Sequence, residues 1–224
     1  MLKPKGNLKE NKILTKNQIL FLENFIKSDL KEIFRLSGGT ALSSFYLKHR
    51  FSYDLDFFSE ERIPFYIISN FIKSLNFLKD FSHKKHFDRN IFTLNFKDGS
   101  KQNVEFVYYP LKNLNKLENV DGLFIDSFKD IMINKACAIA DRNEIKDYVD
   151  FYFSLKRSNL NLKSIFNLSE KKCGVKGISD ILKYKLLKVP EGFESILFIK
   201  KIDKKEIEDF FSKKVKKILE FEIK

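Results

Sequence analysis

Two aspartates, Asp54 and Asp56, stand two residues apart in the run from Tyr53 to Phe58, which alternates as a strand does. Side chains two apart on a strand point to the same face, with their Cα atoms about 7 Å apart. Such paired carboxylates can hold a divalent cation, and Mg²⁺ keeps coordination positions open for triphosphate oxygens. Phosphoryl and nucleotidyl transfer use that arrangement, because the metal neutralises charge and aligns the attacking and leaving oxygens. Surface strands also produce such pairs, so the surrounding residues decide between the two interpretations.

A glycine turn and a third acid accompany the pair. Gly38 and Gly39 open a helix that Thr40 is expected to cap, and a helix start offers backbone N–H groups to phosphates. Glu105 lies in a strand whose opposite face is apolar, so it stands among hydrophobic neighbours, where an acid that is merely solvated is not expected. These residues favour a phosphate-handling site over a solvated surface strand.

The elements that would position these residues follow from hydrophobic periodicity. Before residue 110 the pattern alternates between helices and strands, and the Asp98-Gly99 step indicates a hairpin. Helices are predicted at 16–31, 40–49 and 64–78, and strands at 34–36, 53–58, 81–87, 91–96 and 103–109. The N-terminal part is therefore predicted to be α+β, with a mixed or antiparallel sheet flanked by helices.

Beyond about residue 125 the chain reads as a C-terminal helical bundle. Helices are predicted at 127–141, 144–156, 161–172, 178–187 and 203–219. The polar, turn-rich stretch 113–122 is the expected junction between two domains, 1–122 and 123–224.

A cationic motif begins the helical part. If the helix is continuous, Lys135, Arg142, Lys146 and Asp150 fall within about 80° of one another on a single face. Such a stripe on an otherwise apolar helix suits the wall of a triphosphate pocket. The alternative is a solvated helix face, which is favoured if the helix breaks near Asn143.

These residues carry a family resemblance. The runs Leu36-Ser-Gly-Gly-Thr-Ala-Leu42 and Tyr46-Leu-x-x-Arg-x-Ser-x-Asp-Leu-Asp-Phe-Phe58 resemble the AbiEii/AbiGii toxin family of nucleotidyltransferases. That family belongs to the polymerase-β-like superfamily and includes the MenT-type toxins. The later run Lys135-x-x-Ala-x-x-x-Arg-x-x-x-Lys-Asp-x-x-Asp150 is similar to the family's second, helical motif. The resemblance spans residues 33 to 155 and implies a nucleotidyltransferase core.

The resemblance implies roles position by position. Gly38 and Gly39 would hold nucleotide phosphates, although the wider superfamily usually has Gly-Ser there. Asp54 and Asp56 would bind Mg²⁺ or Mn²⁺, with Glu105 as the third, metal-binding or base carboxylate. Lys135 would contact the triphosphate and Asp147 would complete the catalytic set. The remaining nucleotide-binding candidates are Thr40, Arg50, Ser52, Arg142 and Lys146.

Charge and cysteine content bear on partners and compartment. The net charge of +12 suits a polyanion such as RNA, although a Lys-rich proteome would also give a basic protein. Residues 151–224 contribute +8 of this charge, from 18 Lys/Arg and 10 Asp/Glu. Their runs of lysines could contact an RNA backbone, bind an acidic antitoxin or simply form a solvated face. Cys137 and Cys173 lack zinc-site spacing and fit a reducing cytosol, with Cys137 in a small buried apolar role. No apolar run is long enough to cross a membrane, so a cytoplasmic protein without a membrane partner is expected.

The expected reaction moves a nucleoside monophosphate from an NTP to an acceptor hydroxyl. The resemblance suggests the toxin of a toxin–antitoxin or phage-defence pair, with tRNA as a plausible acceptor and an antitoxin as a plausible protein partner. Two alternatives stay open: a nucleotidyltransferase that modifies a protein or small molecule, and an inactive fold that binds RNA or a protein partner.

Overall fold

A seven-stranded mixed sheet forms the centre of the computed structural model, which describes residues 2–222. The strands are β1 (Arg35–Ser37), β2 (Leu55–Ser59), β3 (Leu78–His86), β4 (Arg89–Phe96), β5 (Lys101–Tyr108), β6 (Glu118–Val120) and β7 (Leu123–Ile125). Their order across the sheet is β3-β4-β5-β2-β1-β7-β6. Strand β2 is antiparallel to β1 and parallel to β5, and β1 is parallel to β7.

Eight α-helices flank the sheet or follow it among the described residues. They are α1 (Lys16–Phe25), α2 (Gly38–Ala41), α3 (Phe65–Ser74), α4 (Phe128–Asp141), α5 (Ile145–Arg157), α6 (Leu162–Cys173), α7 (Ile178–Leu186) and α8 (Lys204–Glu222). The α+β class, the mixed sheet and the C-terminal helices are confirmed. The N-terminal helix is shorter than the predicted 16–31, since α1 ends at Phe25 and a separate 3₁₀ turn covers Asp29–Glu32. Within residues 2–222, no helix is both long and apolar enough to cross a bilayer.

Two hydrophobic cores divide the molecule. The first joins the sheet to α1 and α3, and it includes Phe128 and Ile131 from the first turn of α4. The second begins at Met132 and Ile133 and fills the space between the C-terminal helices. The cores therefore meet within α4, whereas the predicted boundary after residue 122 falls inside the β6–β7 hairpin. The division into two domains stays a prediction.

The helix after the glycine turn is built differently from the prediction. Helix α2 continues directly into a π-helical stretch, Leu42–Leu47, which ends at Lys48 with φ +50°. Ser37, not Thr40, stands at the N-cap position, and no side chain caps the helix. Thr40 is fully buried and its hydroxyl donates to the backbone carbonyl of Asp54. The expectation that Thr40 caps this helix was wrong, and its side chain instead ties α2 to the start of β2.

The two cysteines are also placed differently. Cys137 of α4 and Cys173, the last residue of α6, form a disulfide with a Cα–Cα distance of 6.7 Å. Both residues line the cleft described below. The expectation of a small buried apolar role for Cys137 was wrong, and because the two cysteines form a disulfide they do not support the reducing cytosol expected from them. A separation of 36 residues in the sequence does not indicate that the two helices are joined.

Candidate active site

A cleft of about 890 Å³ lies between the sheet and the C-terminal helices. Both sequence motifs face it, although they are separated by some eighty residues along the chain. The predicted site residues that line it are Gly38, Gly39, Arg50, Ser52, Asp54, Asp56, Glu105, Lys135, Arg142, Lys146 and Asp147. Of the predicted set, Thr40 alone is not among the lining residues.

The carboxylates come together through strand register. In the parallel pairing of β2 with β5, Asp56 stands directly beside Glu105. Directly paired residues share a face of the sheet, so both carboxylates point into the cleft while Leu55 and Val104 are buried in the core. Asp54 lies just before β2, and its Oδ1 accepts a hydrogen bond of 3.3 Å from Asn103 Nδ2. The three predicted acids are therefore close together, with Asp56 on β2, Glu105 on β5 and Asp54 just before β2.

This crowding changes the acidity of Asp56. Burial and the nearby charge of Glu105 raise the pKa of Asp56 to about 6, and Asp54 adds to the effect. Lys135 opposes this shift but does not cancel it. A divalent cation at this point would offset the repulsion between the carboxylates, and their oxygens are the ligands that Mg²⁺ and Mn²⁺ prefer.

Glu105 has a partner that the sequence analysis did not consider. Arg89 Nη1 donates to Glu105 Oε2 at 2.8 Å, and both side chains line the cleft. Within residues 2–222, no three His, Cys, Asp or Glu side chains form a ready-made metal-binding group. Asp54 and Asp56 are the candidate metal pair, and Arg89 contacts only Oε2 of Glu105, the third predicted acid.

Both glycines of the turn are required by close packing. Gly38 has φ +70°, and a Cβ atom there would stand 2.0 Å from Asp56 Oδ2. A Cβ atom on Gly39 would stand 2.4 Å from Arg50 Nη2 and 2.9 Å from Ser52 Oγ. The turn thus lies directly against the carboxylate of Asp56 and the guanidinium of Arg50, which explains why the motif carries Gly-Gly.

A buried ionic network connects the two motifs. Arg50 donates two hydrogen bonds to Asp150, from Nε at 2.7 Å and from Nη2 at 2.8 Å. Lys135 Nζ lies 2.8 Å from Asp150 Oδ2, and His49 Nε2 lies 2.7 Å from Asp150 Oδ1. Burial alone would raise the pKa of Asp150, but Arg50 and Lys135 hold it well below its usual range. Asp150 is thus a buried anion that holds the acid-pair segment and α4 together.

Asp147 forms the second half of this network. It accepts 2.8 Å hydrogen bonds from Lys135 Nζ and from Arg142 Nε. Burial lowers the pKa of Lys135, yet Asp150 and Asp147 outweigh that effect and leave it raised. Lys135 is only 8% exposed, so it lies neither on a solvated face nor unpaired in the cleft.

The prediction that the second motif lies on one helix was wrong. Helix α4 ends at Asp141, Arg142 is extended with ψ 170°, and α5 begins at Ile145. The motif residues still converge, because α5 folds back on α4 and brings Asp147 and Asp150 to Lys135. Arg142 and Lys146 are exposed at the cleft, where both lie within 4 Å of Glu144.

Arg89 and His49 were not among the predicted site residues, and Asp150 was predicted only as a member of the second motif, without its contacts to Arg50 and His49. Arg50 and Asp150 are 100 residues apart and meet only through tertiary packing, so the hydrophobic periodicity of the sequence does not predict their contact. His49 is fully buried and its Nε2 faces Asp150. The contact of the buried His49 with Asp150 likewise has no recognisable pattern in the sequence.

The chain is similar to known proteins over most of its length. The family described as nucleotidyl transferase AbiEii toxin, type IV TA system, matches residues 20–221. An uncharacterized protein of Aquifex aeolicus (strain VF5), aq_aa25, is 35% identical over 209 residues, which cover 92% of this chain and 98% of that protein.

Solved structures show the same fold. MenT4, a nucleotidyltransferase toxin from Mycobacterium tuberculosis H37Rv, is similar with a TM-score of 0.63 and 14% identity, covering 88% of this chain and 82% of that one. A putative nucleotidyltransferase from Helicobacter pylori has a TM-score of 0.52 and 20% identity, covering 92% and 99%. The chain, with its acid pair, glycine turn and helical motif assembled in one cleft, belongs to the AbiEii family of nucleotidyltransferase toxins.

Proposed function

We propose that the protein transfers a nucleoside monophosphate from an NTP to an acceptor hydroxyl, with release of pyrophosphate. The observation that carries the proposal is the row of carboxylates in the cleft, where Asp56 stands beside Glu105 in strand register and Asp54 adjoins them. Membership of a nucleotidyltransferase family supports the same reaction class.

Asp54 and Asp56 would hold a divalent cation, Mg²⁺ or Mn²⁺. The fit rests on their oxygen donors and on the raised pKa of Asp56, whose causes are burial first and then repulsion from Glu105, which a cation would offset. When bound, such an ion supplies charge neutralisation on the triphosphate and alignment of the reacting oxygens. Glu105, whose Oε2 accepts a hydrogen bond from Arg89, would either help to hold the ion or take the proton of the acceptor hydroxyl.

The other cleft residues would bind and orient the triphosphate. Gly38 and Gly39 would present backbone N–H groups, and the exposed cations Arg142 and Lys146 would meet the phosphate oxygens. The ammonium of Lys135 has three donors, of which Asp147 and Asp150 take two, and the third would be left for a phosphate oxygen. Arg50 is held by Asp150 and would act by positioning the glycine turn beside Ser52.

For the biological role we propose the toxin of a toxin–antitoxin or phage-defence pair, acting in the cytoplasm with tRNA as acceptor. Support comes from the family, whose description names a type IV toxin–antitoxin system, and from the net charge of +12, which suits a polyanion. An antitoxin would be the protein partner.

An acceptor screen tests the proposal. The purified protein would be incubated with Mg²⁺, each of the four NTPs labelled at the α-phosphate, and in turn tRNA, total protein and small hydroxyl compounds. Label is expected in tRNA. Label found only in protein or in small molecules would show that the acceptor is not tRNA but that nucleotidyl transfer occurs. No NTP turnover with any acceptor, with Mg²⁺ or with Mn²⁺, would reject the proposed reaction.

A further inference from the structure

Strand β3 forms one edge of the sheet and has a partner on one side only. Within residues 2–222 it pairs with β4, and no strand lies on its other side. The strand is nine residues long and seven of them are exposed, so a long row of backbone N–H and C=O groups is open to pairing. Such an edge either carries features that prevent pairing or is covered by a strand of another molecule.

The lysines of β3 could be such a protective feature. Lys84 and Lys85 lie near its end, and lysines on an edge strand repel an approaching strand that carries lysines at the facing positions. Lys79, the third lysine of the strand, lies outside the regular ladder, because the pairing register shifts between Leu78 and Asp80. The regular part of the edge therefore begins with an acid, Asp80, and ends with bases.

This regular part is complementary to itself. In an antiparallel pair of two copies centred on Ser82, Asp80 of each copy stands opposite Lys84 of the other, because both residues lie two positions from the centre. Residues that face each other in this way have Cβ atoms about 5 Å apart, which is within reach of a salt bridge. Asp80 Oδ1 accepts a hydrogen bond from Asn95 Nδ2, which leaves Oδ2 to accept from the ammonium. The pairing would thus create two equivalent opposite-charge pairs.

The other face of β3 offers an aromatic contact at the same register. Phe81 and His83 pair with buried residues of β4 and therefore lie on the core face. In the pairing centred on Ser82, Phe81 of one copy faces His83 of the other, and facing aromatic residues stabilise a strand pair. The ring centroids of His83 and Phe65, at the start of α3, lie 4.4 Å apart, and Phe65 is 44% exposed. Phe81 of a second copy would therefore join an aromatic surface that is open to solvent.

The arrangement of charges distinguishes a second copy from a different protein. An acidic strand of another protein would attract Lys84 and Lys85 but would also place a like charge opposite Asp80. The mirrored positions of Asp80 and Lys84 about Ser82 avoid that repulsion only when the facing strand is β3 itself.

We propose that two copies of the chain associate by antiparallel pairing of their β3 strands, which joins the two seven-stranded sheets into one. Asp56 lies on β2, three strand spacings or about 14 Å from β3, so the pairing leaves the cleft of each copy open. The inference goes beyond the proposed nucleotidyl transfer and does not depend on it.

An exchange of charges tests the register. Sedimentation velocity of the wild type over about 1 to 200 µM should show a monomer–dimer equilibrium. Lys84→Glu places an acid opposite Asp80 and should raise the dissociation constant at least about tenfold. Asp80→Lys combined with Lys84→Glu restores opposite charges in exchanged positions and should return the constant to within about threefold of the wild type. Lys97→Glu, at an exposed residue just after β4, changes the net charge as Lys84→Glu does and should leave the constant unchanged.

A cysteine at the centre of the register provides a second test. Ser82→Cys places two thiols opposite each other, with Cα atoms about 4.5–5.5 Å apart, a separation that a disulfide can bridge. Oxidation by diamide should therefore convert this variant to a covalent dimer. Thr93→Cys, on the neighbouring strand, is the matched control, because its two copies would be three strand spacings or about 14 Å apart.

Several results would overturn the proposal. A wild type that is monomeric at every concentration would do so, as would a dimer that Lys84→Glu does not weaken. Exchanged charges that fail to restore the dimer in a variant with a wild-type unfolding transition would reject the register. Equal cross-linking of Ser82→Cys and Thr93→Cys, or cross-linking of Ser82→Cys to a different protein instead of to itself, would reject the self-pairing. None of these measurements involves NTP turnover, so their failure would leave the proposed reaction untouched.

Discussion

Replacement of Gly38 by alanine probes the contact between the glycine turn and Asp56, one of the two proposed metal ligands. The new Cβ atom would stand 2.0 Å from Asp56 Oδ2, whereas real Cβ contacts essentially never fall below 3.0 Å. The Asp56 carboxylate must therefore retreat by about 1 Å, and a misplacement of that size in a catalytic group costs about 100-fold in rate. Gly38→Ala should thus lower kcat by about two orders of magnitude.

The same substitution also has a backbone cost, which a matched variant measures separately. Gly38 has φ +70°, and an alanine in that region costs about 1–2 kcal/mol. Gly99 has φ +85°, and a Cβ atom added there would meet nothing within 4 Å, so Gly99→Ala carries the backbone cost without the contact. In a chain of this size, 1 kcal/mol corresponds to a shift in Tm of about 2–4 °C.

The assay combines transfer of labelled nucleotide with thermal unfolding. Gly99→Ala should lose a few degrees of Tm and keep its activity, whereas Gly38→Ala should lose at least as many degrees and also lose activity. If Gly38→Ala kept activity within about tenfold of wild type, the Asp56 carboxylate would not need the position that the turn imposes. Equal activity losses in the two variants would assign the effect to destabilisation.

Two further predictions concern the C-terminal helices. Asp150→Asn leaves Arg50 and Lys135 buried without their shared anion, so the free energy of unfolding in urea at pH 7 should fall by about 3–5 kcal/mol. An unchanged urea midpoint would contradict the buried network. Because the pKa of Asp150 is depressed in the folded state, its contribution is present above the unfolded value of about 4 and is lost as pH falls below it, so wild type and variant should converge in acid. Reduction of the Cys137–Cys173 disulfide, which closes a loop of 36 residues, should cost up to about 4 kcal/mol in unfolding free energy. A Cys137→Ser variant that is insensitive to dithiothreitol is the control, and a wild type equally stable with and without reductant would argue against the bond.

The local patterns predicted much of the fold. The alternation from Tyr53 to Phe58 placed Asp54 and Asp56 on one face, and the Asp98-Gly99 step marked the hairpin between β4 and β5. Periodicity also located the C-terminal helices to within a few residues. The three-residue strands β6 and β7 were not predicted, because three residues are too few to show the alternation of a strand.

The parts of the site that could not be predicted depend on pairing between distant segments. Glu105 was chosen from its apolar surroundings, but its place beside Asp56 depends on the register of β2 with β5. The ion pairs of Asp150 with Arg50, and of Glu105 with Arg89, arise from tertiary packing and leave no sequence period. The prediction of one continuous cationic helix was wrong for a local reason, because α4 ends at Asp141 and the chain turns back after Arg142.

Replacement of Asp56 by asparagine tests the central claim most directly. The variant keeps the shape of the side chain but removes the negative charge that the proposed cation requires, and Asp209→Asn, at an exposed position on α8, is the matched control. Purified wild type, with Mg²⁺, α-labelled NTPs and tRNA, should transfer label and release pyrophosphate. Asp56→Asn should lose at least about 100-fold of that activity while unfolding at or above the wild-type temperature, and Asp209→Asn should match the wild type. An Asp56→Asn protein that transfers nucleotide at the wild-type rate would contradict the account.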